Sequence, residues 1–470
     1  MFKCTGLCKT CGKCKSANMI SKANDRKTKI VKFPDGFEPA KDMDGLGVAF
    51  DIGTTTVVGM LWDLCKGKQI GVCAKTNPQN EFGLDVISRI TYCGSKGENL
   101  DELRANVVDC LNEIINQLCD QASIKKEDVV KCTVCGNTTM SHIFAGYPPM
   151  SLAQAPFDPA YTGMITLSKE DSKLDINADG KVVVLPNIAG HVGGDITSGI
   201  VASRLLNEKG LTVFIDIGTN GEIVLTKNGD AYACSTAAGP AFEGSAILHG
   251  MRAAMGAIEK IEIKEGEVFF KTIGECQPEG ICGSGLIDAI AQMLDNNLIS
   301  KTGRMISAED IDKKNLDHRL KERLIQIEGE RRFVLVFKEQ GEDIVITQND
   351  IREVQLAKAA ISAGITLMLE EMGETVDHVT KVMVAGAFGS YINKESAVRI
   401  GILPTIDQDK IISAGNTAGA GVCMTLTNEN ELVLAESVPN RIKHIELAGC
   451  ENFQNTYLNA MAFSKGERRK

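Results

Sequence analysis

The sequence predicts an α/β fold built twice over, two like halves facing each other across a cleft. Three observations predict it. Val48-Ala-Phe-Asp-Ile-Gly-Thr-Thr-Thr-Val-Val-Gly59 is echoed in the other half by Val213-Phe-Ile-Asp-Ile-Gly-Thr-Asn-Gly-Glu222. Short apolar runs alternate with helical stretches along both halves. At 470 residues the chain is too long for one core and long enough for two or three domains.

The echoed stretch carries chemistry as well as fold. In each copy an apolar β-branched run, the mark of a buried strand, carries one Asp and turns on a Gly followed by hydroxyl or amide side chains. A buried Asp is costly unless it is paired or faces a metal. A Gly-led turn aims successive backbone N–H groups at an anion. A carboxylate for hydrated magnesium beside a nest for phosphate outlines a nucleotide site. One copy would be a commonplace strand end; two copies imply a duplication.

Composition narrows the class. Apolar residues make up 43% and charged residues 24%, as in an ordinary soluble globular protein. Net charge is 51 − 61 = −10, which disfavours nonspecific nucleic-acid binding. The first 32 residues hold nine Lys or Arg against Asp25, so the rest sits near −10 − 8 = −18. The start lacks a signal peptide's apolar core and no window approaches a membrane span, so a cytoplasmic location is expected. Sixteen cysteines, most of them scattered singly, suit reduced buried thiols in a reducing, anaerobic cell.

At the start of the chain, Cys4, Cys8, Cys11 and Cys14 are separated by three, two and two residues. Thiolates this close repel unless a metal neutralises them. Ferredoxin-type clusters are held by such short runs, whereas zinc knuckles more often use two separated pairs. The spacing favours an iron–sulfur cluster of the four-iron (4Fe-4S) kind over zinc, and either over unligated thiols. Lys3, Lys9, Lys13 and Lys15 offset cluster charge or simply form a solvated face. Residues 1–40 read as this metal arm and its tether, 41–208 as the first domain, and 209–470 as the second with an insertion around 258–345.

In the first domain the Asp51 turn leads into a β-β meander through Lys66-Gly67-Lys68. Helices are expected over Leu84–Tyr92 and Glu102–Gln121, the latter with Leu103, Val107, Leu111, Ile114 and Leu118 on one face. Val129–Cys135 reads as a strand, with Cys132 and Cys135 pointing to opposite faces as core thiols. Val182–Pro186 reads as another strand, followed by a helix over Ile196–Leu206. Asp195 at that helix start is either an N-cap or a residue that orients an attacking water.

In the second domain, Thr236–Gly244 reads as a glycine-bracketed loop entering an apolar helix. A long helix is expected from Thr347 to about Met372 and a buried strand over Val379–Ala385. That strand ends in Gly386-Ala387-Phe388-Gly389, and Gly415-Asn416-Thr-Ala-Gly heads a further helix. Glycines there let a base or ribose approach the backbone. A helix over Glu451–Phe463 closes the domain.

Asp51-Ile-Gly-Thr-Thr-Thr, Asp216-Ile-Gly-Thr-Asn-Gly and Val384-Ala-Gly-Ala-Phe-Gly389, in that order, resemble the two phosphate motifs and the adenosine motif of the actin, sugar kinase and Hsp70 superfamily. Within it, Asn77-Pro-Gln, Asp85-Val-Ile-Ser-Arg89, Gly136-Asn-Thr-Thr-Met140, Ala238–Gly244 and Gly415–Gly419 resemble the reductive activators of corrinoid proteins. The resemblance spans about Gly47 to Phe463. It implies duplicated ribonuclease-H-like (actin-like) domains, ATP and Mg2+ in the cleft, and an ATPase that drives a cobalt(II) corrinoid back to cobalt(I) through an iron–sulfur cluster. Asp51 and Asp216 would hold the magnesium and Asp195 would position water. Gly53, Thr54, Thr55, Thr56, Gly218, Thr219, Asn220 and Gly221 would cradle phosphates. Gly386, Ala387, Phe388, Gly389 and Asn416 would receive adenosine. The partners implied are a corrinoid protein or corrinoid-dependent methyltransferase and an external low-potential electron donor; a homodimer is expected, with no nucleic acid and no membrane. The compact Cys4–Cys14 loop departs from better-known members, which carry a whole ferredoxin-like domain. Two rivals stay open: an ATPase activator of a 2-hydroxyacyl-CoA dehydratase, and a nucleotide-gated binding protein with a structural metal arm.

Overall fold

The apolar run that carries Asp51 forms β1 (Leu46–Ile52), and the chain doubles back through β2 (Thr56–Asp63) and β3 (Lys68–Thr76) as an antiparallel meander. A computed structural model describes residues 33–41, 43–389 and 391–463. The cluster predicted at Cys4, Cys8, Cys11 and Cys14 lies outside the described residues. β4 (Val129–Gly136) runs parallel to β1, and β6 (Lys181–Val184) parallel to β4, while short β5 (Ile165–Leu167) closes the edge antiparallel to β6. The first sheet is therefore ordered β3-β2-β1-β4-β6-β5.

The second half repeats that order over five strands, and its sixth strand joins the opposite edge. β7 (Leu211–Ile217), β8 (Gly221–Lys227) and β9 (Asp230–Thr236) form its meander. Two three-stranded sheets follow, one from β10 (Ala257–Lys264), β11 (Glu267–Thr272) and β12 (Gly280–Ile281), the other from β13 (Leu324–Ile327), β14 (Glu330–Val336) and β15 (Ile344–Thr347). β16 (Val379–Ala385) then runs parallel to β7, β17 (Ile411–Gly415) parallel to β16, and β18 (Lys443–His444) parallel to β9 at the other edge. The order is β17-β16-β7-β8-β9-β18. Parallel neighbours need a long crossover. Each half supplies one with a 24-residue helix, Asn99–Ala122 and Gln348–Glu371.

Three cores follow from these layers. Val48, Phe50, Leu61, Leu111 and Ile114 pack on the outer face of the first sheet, and Val213, Ile215, Ile361 and Val384 on that of the second. A third core joins the halves, with Met60, Trp62 and Leu185 meeting Phe214, Met383 and Met424. Cys132 falls in the outer core and Cys135 in the shared one, as their three-residue spacing on a strand requires. The shared core is roofed by two crossed helices, Gly194–Ser203 and Thr417–Thr427. At their crossing a Cβ on Gly421 would lie 2.0 Å from the Ser198 carbonyl oxygen, so only glycine fits.

The Phe33 and Phe37 rings pack tilted with centroids 5.2 Å apart, and Phe33 meets the Trp62 ring at 5.8 Å. The Ala40 N–H donates to Thr427 O at 2.9 Å, which pins the root of the tether to the last residue of Thr417–Thr427. Among the described residues no helix is long and apolar enough to cross a membrane.

Some expected elements shift. The helix expected over Leu84–Tyr92 is Val86–Ser95, because the Asp85 side chain accepts from Ser88 N as an N-cap. The closing helix is Phe453–Ala460, shorter than expected. No apolar helix follows Gly244. Pro240–Glu243 is a single 3-10 turn, and Met251 N then donates to Ile281 O at 2.9 Å while Ile281 N donates to His249 O at 2.8 Å. Cross-chain bonds to β12 win there over local helical ones.

Candidate functional site

Asp51 and Asp216 hold the same position, one residue before the end of β1 and of β7, so the repeated topology presents both at one edge of the cleft. Asp195 joins them from the first turn of Gly194–Ser203. Burial pushes the Asp51 carboxyl up to about 7, with the charges of Asp195 and Asp216 adding to it, and a hydrogen bond with the Cys135 thiol opposing it. Asp216 rises to about 7, again from burial first and Asp195 second. Asp195 rises less, to about 6: burial raises it, but hydrogen bonds to the helix-start N–H groups of Ile196 and Asp195 itself favour its charged form.

Asp195 is not the N-cap, which is Gly193; its carboxylate instead accepts from Ile196 N at 2.9 Å. Of the two readings its sequence position allowed, the capping one is thereby set aside. A fourth carboxylate belongs to the group. Glu222 on β8 is raised well above its usual range by burial and by Asp195 and Asp216, and it accepts from the Ser235 hydroxyl at 3.4 Å. Glu222 was part of the echoed stretch, but a single glutamate at the head of an apolar strand gives no sign in sequence of the carboxylates it will face.

Four crowded carboxylates strain against one another unless a cation sits among them. Among the described residues no three His, Cys, Asp or Glu side chains close into a cage of their own. That arrangement fits magnesium, which takes one or two carboxylates and completes its shell with waters and phosphate oxygens.

The two Gly-led turns flank these carboxylates. In the first, Gly53 N donates to Thr56 O at 3.0 Å. Buried Asn77 binds it twice, Nδ2 donating to Gly53 O at 2.9 Å and its own N–H to Thr55 O at 2.9 Å. Asn137 Nδ2 donates to Thr54 Oγ1 at 2.9 Å, and Arg89 Nη2 donates to Thr54 O. Three of the motifs quoted above thus converge on one turn, a role their separation in sequence had hidden. In the second turn Gly218 N donates to Asn220 O at 2.9 Å and the Thr219 hydroxyl to Glu243 Oε1 at 2.7 Å. A Cβ on Gly218 would meet Asn220 O at 3.8 Å and Glu243 Oε1 at 3.9 Å, ordinary contact distances.

The glycine motif for which adenosine was expected lies against Asp216. Gly386 begins the short helix Gly386–Gly389 with φ +81°, and a Cβ there would lie 2.5 Å from Asp216 Oδ1. Ala387 and Phe388 follow in that helix, and Gly389 O accepts from the Ser413 hydroxyl at 2.8 Å. Asn416 caps Thr417–Thr427, its Oδ1 accepting from Gly419 N at 2.9 Å.

Residues 46–208 match a family model described as the RACo middle region, and residues 210–470 one described as the C-terminal domain of RACo, the ASKHA domain. The corrinoid activation enzyme RamQ of Eubacterium limosum is 39% identical over 434 residues, covering 92% of this chain and 72% of that protein. A reductase of the Co(II) methylated amine-specific corrinoid protein from Methanosarcina barkeri is 24% identical over 450 residues, 89% of this chain and 77% of the relative. A solved reductive activator for a corrinoid, iron–sulfur protein superposes with TM-score 0.79 at 38% identity, over 90% of this chain. This chain spans 66% of the length of that solved protein.

Proposed function

This chain belongs to the RACo family of reductive activators of corrinoid proteins, and from that membership we propose that it uses ATP hydrolysis to return a cobalt(II) corrinoid protein to cobalt(I). The observation that carries the proposal is the meeting of Asp51, Asp195 and Asp216, drawn from both halves, beside two phosphate-shaped turns.

In this reading Asp51 and Asp216 hold a hydrated magnesium ion, which when bound offsets phosphate charge. Their raised proton affinity means that they give up protons as the cation arrives. Gly53 to Thr56 and Gly218 to Gly221 cradle the phosphates, the N–H groups of Gly53 and Gly218 holding each turn closed rather than facing the anion. Asp195, the most acidic of the three, orients the attacking water and accepts its proton. Gly386 to Gly389 and Asn416 form the adenosine side. ATP bound to both halves closes the cleft, and loss of the terminal phosphate reopens it.

Cys4, Cys8, Cys11 and Cys14 supply four thiolates within eleven residues, the donor set of a four-iron cluster, which would serve as a one-electron carrier. The balance is one electron from an external low-potential donor, carried to cobalt(II) in the partner, with ATP going to ADP and phosphate. The protein can shift that reduction only as far as it binds one state of the partner better than another. The partner is a corrinoid protein or corrinoid-dependent methyltransferase, and the activator works as a homodimer in the cytoplasm.

The test is reduction of a cobalt(II) corrinoid partner with ATP, magnesium and a strong reductant, followed in the partner's visible spectrum. ATP-dependent conversion to cobalt(I) is expected. Conversion that is identical without ATP, or absent with every corrinoid protein of the host, overturns the proposal.

A further inference from the structure

Arg89 heads the largest fully buried side chains among the described residues, at 0% exposure on the helix Val86–Ser95. Its guanidinium donates to Gly83 O from Nε at 3.0 Å, to Gln79 Oε1 and Met140 Sδ from Nη1 at 3.2 Å each, and to Asn80 Oδ1 at 2.6 Å and Thr54 O from Nη2. All five acceptors are neutral. Asp85 is the carboxylate whose charge reaches it, and that group is engaged as the N-cap on Ser88 N at 2.8 Å. A buried cation without a paired carboxylate is costly to keep, and burial draws this guanidinium down to about 10, where it still carries its proton at neutral pH.

The place of that charge gives it a use. Arg89 sits directly behind the first phosphate turn, bonded to the Thr54 carbonyl, while Asn137 holds the Thr54 hydroxyl. In a trans peptide the C=O and the following N–H point opposite ways, so drawing Thr54 O back toward Arg89 turns the Thr55 N–H the other way, outward from the guanidinium. Among the described residues no such cation is bonded to the second turn; its hydroxyl is bonded to the carboxylate of Glu243.

We propose that Arg89 is a positioning residue whose unpaired charge is completed by the phosphates of a bound nucleoside di- or triphosphate at the first turn. The inference rests on the reading of the cleft as an ATP site. Arg89 does not touch the nucleotide; it aims the turn and supplies a positive potential through a low-dielectric wall, where a charge acts more strongly than at the surface. Its signature is an affinity gain that depends on phosphates alone.

Calorimetric titration of the full-length protein with ATP, ADP and adenosine, all with magnesium, tests this. Arg89→Gln should bind ATP and ADP at least about tenfold more weakly and adenosine unchanged, with Arg89→Lys recovering part of the loss. Asp85→Asn keeps the cap but removes the neighbouring negative charge, so it should tighten ATP and ADP binding about two- to threefold and leave adenosine alone. This second variant decides the matter even where Arg89→Gln does not fold. Equal losses for adenosine and ATP, or a folded Arg89→Gln with parental ATP affinity and no gain in Asp85→Asn, overturn the inference while leaving the cleft assignment standing. Parental protein that binds none of the three overturns the cleft assignment and this inference together.

Discussion

Behind the first phosphate turn lie Arg89, Asn77 and Asn137; beside the second lie Glu222 and Glu243. Over Asp-Ile-Gly-Thr the two turns are the same in sequence, and their strands are equivalent in topology. The shared part is the carboxylate and the Gly-led backbone, the part that the proposed function assigns to the nucleotide. The supports differ. One turn is braced from below by buried amides and a cation, and the other leans on the carboxylate of Glu243.

The part the turns share should fail symmetrically. Asp51→Asn and Asp216→Asn should each lower ATP turnover at least about a hundredfold with the fold intact, since a metal-charge contribution of a few kcal/mol is lost. Measured hydrolysis that survives in one variant and not the other would show that only one half holds the cation.

Gly386→Ala comes next. A φ of +81° and a Cβ 2.5 Å from Asp216 Oδ1 leave no room, so the variant should cost about 1–3 kcal/mol in urea unfolding and weaken ATP binding through displacement of Asp216. Unchanged affinity would uncouple the glycine motif from the second turn.

The supports should fail asymmetrically. Asn77→Ala removes the buried bond to Gly53 O and the one from Gln79 N at 3.0 Å, and should destabilise by about 1–3 kcal/mol. Thr219→Ala removes one part-buried bond and should cost about 0.5–1.5 kcal/mol. Equal costs by denaturant titration would mean that the first turn is no better braced than the second.

A separate effect is a pH dependence. Asp51 and Asp216 titrate near 7 in the folded chain against 3.8 for the free side chain. The folded state therefore holds more protons between about pH 4 and 7, and stability falls as pH rises through that window. Nucleotide-free protein should melt higher at pH 5.5 than at pH 8. Asp51→Asn, which removes one member of the cluster, should raise the pH 8 melting temperature by roughly 1–3 °C. A parental profile that is flat, or that rises toward pH 8, would show that the carboxylates are already compensated.

Much of this architecture was legible from period and repetition. The twin strands, the long helix before β16 and the opposed faces of Cys132 and Cys135 follow from local pattern, because strand alternation and helix periodicity are properties of neighbours in sequence. Asp51, Asp195 and Asp216 stood out for the same reason, as carboxylates next to glycine turns. What stayed hidden depends on contacts across long separations. Glu222 gives no sign in sequence of the carboxylates it faces once β7 and β8 pair. Arg89 lies 35 residues from the turn it braces, and nothing in Asp85–Arg89 shows that its charge is buried. The missing helix after Gly244 failed because bonds to Ile281 compete with local ones.

The close crossing of Gly421 over Ser198 makes a pivot of the helix Thr417–Thr427. Its nucleotide end at Thr417 lies about 6 Å along the axis from that point and its far end at Thr427 about 9 Å, at 1.5 Å per residue. If the helix rocks about that point, its ends move in opposite directions, the Thr427 end about one and a half times as far as the Thr417 end. Ala40 hangs from the Thr427 end, so the tether root would follow such a motion in the sense opposite to that of Thr417.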